Sequence, residues 1–106
     1  MKELTKIEEI LLLAIWRLKD DAYGVKIRQY VSQIIGKEFT YGNLYSALSQ
    51  LSKKKYVKKT MGEPTADRRG RRKIYYTVSP AGVKALRTAR EMNQKMWEGV
   101  SDYAFD

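Results

Sequence analysis

Five basic side chains fall within six positions, Arg68, Arg69, Arg71, Arg72 and Lys73, with only Gly70 between them. Guanidinium and ammonium groups at this density neutralise phosphates, and an arginine at a hairpin tip can enter a narrow, electronegative minor groove. A second set, Lys53, Lys54, Lys55, Lys58 and Lys59, lies just upstream. Residues 51–79 hold ten basic residues against two acids, Glu63 and Asp67, a balance of +8 in a chain of net charge +9. The flanking segments are close to neutral, +1 over residues 1–50 and 0 over 80–106. A positive patch localised in this way is the electrostatic footprint of a surface for a polyanion, nucleic acid first. A solubilising charge run is the other reading of the same residues.

Residues 41–53 carry a different chemistry. Asn43 and Gln50 can pair bidentately with adenine, Ser46 and Ser49 can reach bases or phosphates, and Lys53 can reach a phosphate or guanine. Gly42 lets backbone approach a sugar-phosphate chain closely. Tyr41 and Tyr45 are four residues apart; Tyr45 is expected to pack inward with its hydroxyl at the rim, and Tyr41 to reach a phosphate. The chain has no Cys and no His. That removes disulfides, thiolate metal sites and the usual general base. Glu8–Glu9 and Asp20–Asp21 are adjacent acids whose side chains diverge, so they read as solvated surface and not as a catalytic pair. An enzyme is not expected, nor any cofactor. The longest apolar run, residues 10–16, is far short of the roughly 20 residues a membrane helix needs, and no signal peptide opens the chain. A cytoplasmic protein is expected.

The elements that must position these residues can be read from periodicity and caps. Ile7, Ile10, Leu11, Ala14, Ile15 and Leu18 recur at helical spacing, and Thr5 with Glu8 forms a capping box, so a first helix is expected over 6–19. A second runs over 23–35 with Ile27, Tyr30, Val31, Ile34 and Ile35 on one face, stopped by Gly36. Thr40 caps a third helix, in which Leu44, Leu48 and Leu51 fall within about 60° of one another. The side opposite collects Gly42, Asn43, Ser46, Ser49, Gln50 and Lys53. Residues 57–61 and Arg72–Val78 read as paired strands joined by a long basic loop over 62–71.

Ser79 and Pro80 start a fourth helix, by capping and by a proline at the first helical position. Its apolar residues (Val83, Leu86, Ala89, Met92, Met96, Trp97, Val100, Tyr103, Ala104) reach residue 104, about 37 Å at ~1.5 Å per residue. So long a helix would leave Met96, Trp97, Val100 and Tyr103 bare, and an exposed apolar stripe calls for a partner, most simply the same helix of a second copy. Gly99 weakens the helix, and Asp102 and Asp106 sit badly at its negative end, so its last turn is expected to fray. The expected fold is mainly α with a small β-hairpin: a winged helix-turn-helix over residues 1–79 and a C-terminal dimerisation helix over 80–106. Val83, Leu86, Met96, Trp97, Val100 and Tyr103 are the expected dimer contacts. Two copies of Trp97, with Met96 and Val100 nearby, could line a slot for a flat ligand or could simply anchor the dimer. Trp16 reads as core or as packing against the fourth helix, with ligand contact as the alternative.

Three runs together resemble a known family: Tyr23-Gly24-Val25-Lys26-Ile27; Tyr41-Gly42-Asn43-Leu44-Tyr45 with Leu48 and Leu51; and Lys73-Ile74-Tyr75-Tyr76-Thr77-Val78-Ser79 with Gly82. The chain is similar over roughly residues 5–86 to the PadR-type transcriptional regulators, and its single helix after the wing resembles their shorter subgroup. The resemblance implies a homodimeric repressor that binds double-stranded DNA at an inverted repeat, in some members sensing small aromatic compounds. It implies DNA reading by Tyr41, Gly42, Asn43, Tyr45 and the wing arginines, and it places a ligand-pore tryptophan on the fourth helix, where Trp97 is the only one. A winged-helix RNA-binding or adaptor protein without ligand sensing, and a module whose wing binds an acidic protein, are the alternatives.

Overall fold

Local signals in the first fifty residues build three helices. The structure, a computed structural model, describes residues 3–64 and 72–100. Helix α1 spans Lys6–Leu18, α2 Gly24–Ile35 and α3 Tyr41–Lys53, with a single 3-10 turn at Lys19–Asp21 between the first two. Strands β1 (Val57–Pro64) and β2 (Arg72–Val78) form an antiparallel hairpin, and α4 (Pro80–Trp97) follows. This is the winged helix-turn-helix order.

At α1 the capping box is complete. The Glu8 N–H donates to Thr5 Oγ1 at 3.2 Å, and the Thr5 N–H donates back to Glu8 Oε1 at 2.8 Å. The helix ends one residue earlier than the periodicity suggests, because Lys19 turns to φ 52°. Helix α2 begins at Gly24, not Tyr23; Tyr23 is an extended cap residue whose backbone bridges to Tyr75. Gly36 closes α2 in the left-handed conformation, φ 74°, which glycine adopts without strain. Thr40 Oγ1 accepts from the Asn43 N–H and caps α3.

One core joins these pieces. Leu11, Leu12, Ala14 and Ile15 of α1 meet Ile27 and Val31 of α2 and Leu44, Leu48 and Leu51 of α3, with Phe39, Tyr56, Val57, Tyr76 and Ala85 closing the edges. Ile34 departs from the α2 face expected from periodicity and is well exposed. The last turn of α2 packs through Ile35 instead, which lies against the core. Strand β1 runs three residues further than expected, to Pro64, with Met61 opposite Ile74 and the register irregular from there to Pro64. The hairpin is tied to the helices where the Tyr76 N–H donates to the Ala22 carbonyl at 2.9 Å.

Glu8 overturns the reading of Glu8–Glu9 as solvated surface. It is 3 % exposed, and Lys54, at the end of α3, donates to its Oε1 at 2.6 Å and to the Glu3 carbonyl at 3.0 Å. Burial pushes the Glu8 carboxyl pKa up, but the hydrogen bonds from Lys54 and Thr5, with the Lys54 charge, outweigh it and hold the group below its usual value. Glu9 is engaged too: its carboxylate accepts from Asn93 Nδ2 at 2.9 Å and from Lys6.

The root of α4 is clamped. Ser79 Oγ accepts from the Gly82 N–H and donates to the Lys55 carbonyl at 2.7 Å, while the Ser79 N–H donates to the Tyr56 carbonyl at 2.9 Å. Gly82 is required there, since a Cβ would collide with the Tyr56 carbonyl oxygen. The far end differs from the expectation of a helix to residue 104. It stops at Trp97, Glu98 turns to φ −58° and ψ 127°, and Gly99 is left-handed at φ 79°. Beyond Leu86 the helix has almost no core to lean on, so the glycine decides where it ends. Tyr103 and Ala104 lie outside the described residues.

The Glu8 pair makes a prediction. Its folded pKa is below the unfolded value of 4.5, so the unfolded chain binds more protons as the pH falls through that range, and stability drops there. Glu8→Gln should destabilise the protein by about 1–3 kcal/mol at pH 7 and flatten the loss of stability below about pH 4.5. Urea unfolding at a series of pH values checks both; an unchanged acid limb would contradict the assignment.

Candidate nucleic-acid interface

Because Leu44, Leu48 and Leu51 face the core, the opposite side of α3 is directed to solvent. Gly42, Asn43, Ser46, Ser49, Gln50 and Lys53 are all exposed, as their spacing suggests. The helix carries no acidic residue. The structure separates these residues into a central row and two flanks. Gly42, Ser46, Ser49 and Lys53 lie along the centre. Asn43, Ser46 and Gln50 open into a groove of about 580 Å³, bounded by Ile7 of α1, Ile35 of α2 and Phe39.

Tyr41 and Tyr45 occupy the other flank, with Tyr45 beside the wing. Their rings stack at 6.3 Å with 18° between planes. Tyr45 does not pack inward as expected. It is 54 % exposed, and its hydroxyl, not its ring edge, is tucked against α2, where a Cβ on Gly24 would lie 2.9 Å from it. The ring stack with Tyr41 holds it upright outside the core. Arg28 of α2 lies over the outer face of this pair, 4.4 Å from the Tyr41 ring centroid. Nothing in the sequence points to Arg28, whose ring partner is thirteen residues away.

Between this flank and β2 lies a small cleft of about 100 Å³, lined by Tyr23, Val25, Tyr45, Arg72, Lys73 and Ile74 among others. Lys73 Nζ sits 4.3 Å from the Tyr23 ring centroid, a cation–π contact, and Tyr23 meets Tyr75 edge to face at 5.6 Å. Lys73 is thus held in place, while Arg72 is exposed. Arg68, Arg69 and Arg71 lie outside the described residues. Of the upstream lysines, Lys53, Lys55, Lys58 and Lys59 are exposed. Lys54 is not a surface charge, because its ammonium is committed to Glu8.

A second candidate site lies away from this surface, between α1 and α4. Leu13 and Trp16 from α1 face Val83, Leu86 and Trp97 from α4 across a groove of about 560 Å³, with Glu9, Arg87, Arg90 and Asn93 at its edges. Trp16 is 54 % and Trp97 58 % exposed, so Trp16 belongs to this groove and not to the core. The structure brings Trp16, Trp97, Val83 and Leu86 together; Met96 and Val100 are exposed but outside the groove lining. Leu13 is a groove residue that periodicity misses, since it falls off the buried stripe of α1.

The sequence matches the profile of the transcriptional regulator PadR-like family over residues 12–88. The chain belongs to that family. Its members are DNA-binding transcriptional regulators and not enzymes, and so is this protein. Similar solved structures include a PadR-like transcription factor from Bacteroides fragilis, 22 % identical with a TM-score of 0.74, covering 89 % of this chain and 85 % of that one. A PadR family regulator from Clostridium difficile is 24 % identical with a TM-score of 0.68, covering 93 % and 98 %. A transcriptional regulator from Clostridium thermocellum is 25 % identical with a TM-score of 0.67, covering 90 % of each chain. No curated protein is a match to the sequence. Among the described residues, no helix is long and apolar enough to cross a membrane.

The Gly24–Tyr45 contact separates stability from binding. In Gly24→Ala the new methyl displaces only the end of a flexible side chain, and alanine is the better helix former by up to about 1 kcal/mol. Thermal stability should hold or rise while affinity for duplex DNA falls, because the Tyr41–Tyr45 pair shifts. Melting curves and gel shifts on the same preparation check this; unchanged affinity would show that the pair does not contribute.

Proposed function

We propose that the protein is a homodimeric repressor of the cytoplasm that reads an inverted-repeat operator in double-stranded DNA and responds to a small aromatic effector. Residues 1–79 form the reading head and residues 80–106 the dimerisation element. In each copy α3 enters a major groove, with Asn43, Gln50, Ser46 and Ser49 facing base edges and Lys53, Tyr41 and Tyr45 facing the backbone. Arg68, Arg69, Arg71, Arg72 and Lys73 follow the wing to phosphates and the adjoining minor groove. Two-fold symmetry spaces the half-sites by roughly 34–36 Å or a multiple of it.

The observation that carries the dimer is the bare outer half of α4. Met92, Met96 and Trp97 of α4, and Val100 just beyond its end, are each close to half exposed or more, and α4 also walls an apolar groove. An apolar stripe beside an apolar groove supports a self-complementary contact, each copy's α4 set against the other's α1–α4 groove, with Val83 and Leu86 at its base. The tryptophans Trp16 and Trp97, which share the groove, support binding of a flat aromatic effector, with the exposed Met96 and Val100 as its further proposed contacts. Such an effector shifts DNA affinity only by its differential affinity for two dimer shapes.

Selection of bound duplexes from a random pool tests the whole reading, since it reports specificity, palindromy and half-site spacing together. A pool without a recurrent inverted repeat, or preferential binding of single-stranded RNA, would overturn it. On the recovered operator, Asn43→Ala should cost about 1–3 kcal/mol at one base pair. Arg69→Ala should weaken all sequences alike and lower the salt slope by about one contact. Trp97→Ala should raise the monomer fraction in sedimentation and abolish quenching of tryptophan fluorescence by aromatic cations; a variant that keeps the full ligand response would remove Trp97 from the effector site.

A further inference from the structure

Arg28 makes several contacts at the start of α3, yet it lies on α2, outside the helix read as facing DNA. Its Nη1 donates to the Phe39 carbonyl at 3.2 Å and stands 3.9 Å from a carboxylate oxygen of the exposed Glu38. Its guanidinium covers the Tyr41 ring at 4.4 Å, and Tyr41 in turn stacks on Tyr45. The other backbone group of Phe39 is also held by α2, its N–H donating to Ser32 Oγ at 3.0 Å. The residue just before the Thr40 cap is therefore gripped on both sides by α2, and the first turn of α3 is gripped through its tyrosine.

A direct grip on phosphate is a poor account of this side chain. It is only 23 % exposed, and its charge already faces a carbonyl, a ring and a carboxylate. Stability alone is a poor account as well. The Arg28 Nε is buried without a hydrogen-bond partner, and burying an unpaired donor opposes folding. An apolar side chain would fill the space without that penalty, at the cost of leaving the Phe39 carbonyl without its donor, so the balance for folding is close to even. What an arginine does, and an apolar residue cannot, is hold a carbonyl and an aromatic plane in one fixed relation.

We propose that Arg28 is a positioning residue for operator discrimination. Resting on the reading of α3 as the DNA-reading helix, it sets the rotation of the first turn, and hence where Gly42, Asn43 and Ser46 meet base edges. Its loss removes specificity while leaving the phosphate contacts intact.

The experiment measures affinity for the selected operator and for a scrambled duplex over a range of salt, in the full chain. Arg28→Met, which keeps the alkyl stem, should lose about tenfold on the operator, stay within about twofold on the scrambled duplex and keep the salt slope. Tyr41→Phe should lose at most its backbone contact, weakening both duplexes alike and keeping their affinity ratio; Tyr41→Leu should lower that ratio as well, and the ratio of the Arg28→Met/Tyr41→Leu double variant should be no lower than that of the worse single one. Equal losses on both duplexes with a slope reduced by about one would make Arg28 a phosphate contact and overturn the proposal. So would additive losses, or a lower melting temperature with an unchanged specificity ratio. If Arg28→Met does not fold, Arg28→Lys keeps the charge but cannot grip carbonyl and ring together; full specificity in that variant is equally fatal. A wild-type protein that prefers no duplex would instead defeat the DNA reading itself.

Discussion

Three leucines on one side of α3 constrain everything outward of them. Leu44, Leu48 and Leu51 are essentially fully buried, and each contributes about 1.5–3 kcal/mol relative to exposure. A turn of the helix by one residue would rotate it about 100° and bare most of that stripe. The overall rotation of α3 is therefore set from the inside, leaving only its first turn to be adjusted by neighbours, and the solvent-facing row is whatever the core leaves out. Small and polar side chains at Gly42, Ser46 and Ser49 suit that row because nothing there needs burying. The two flanks then receive different neighbours: Asn43 and Gln50 share a groove with α1, while the tyrosine pair lies against α2, Tyr45 also lining a cleft with the wing.

A second constraint lies at the junction of wing and terminal helix. Ser79 serves at once as the α4 cap and as a donor to the Lys55 carbonyl, and Gly82 sits against the Tyr56 carbonyl. Tyr56 opens the approach to β1. The first turn of α4 and the base of the wing thus form one packed unit, and a displacement of the α4 root is felt at the strand pair. The outer half of α4 is different: it projects beyond the core and presents methionines and a tryptophan. The apolar groove against α1 lies where these two regimes meet.

Legibility followed the range of the physics involved. Caps at Thr5, Thr40 and Ser79, the stop at Gly36 and the leucine stripe of α3 act within about one helical turn, and each was readable as written. Glu8 was not, because it is both half of a capping box and the partner of Lys54, 46 residues away. Read locally it is one of two adjacent acids on a surface. Tyr45 failed for a similar reason: an aromatic beside a buried stripe suggests burial, but the Tyr41 ring and Gly24 hold it outside. The end of α4 was overestimated because apolar spacing continues past Trp97, while the left-handed turn at Gly99 and the absence of core beneath it stop the helix.

Composition and spacing alone determined the element order, the localised basic stretch and the polar face of α3, since charge density and periodicity are properties of the chain before it folds; the family was legible only through the resemblance of its motifs. Only the tertiary structure decided which acid is a buried ion-pair partner, which lysine is withdrawn from the surface, and that Arg28 of α2 lies against Phe39 and Tyr41 at the start of α3. It also decided that Trp16 and Trp97 share a groove. These relations join residues from 11 to 46 positions apart, and further still for Trp16 and Trp97, and no local rule reaches that far: they exist because burying one leucine-rich core brings distant turns of the chain to the same place.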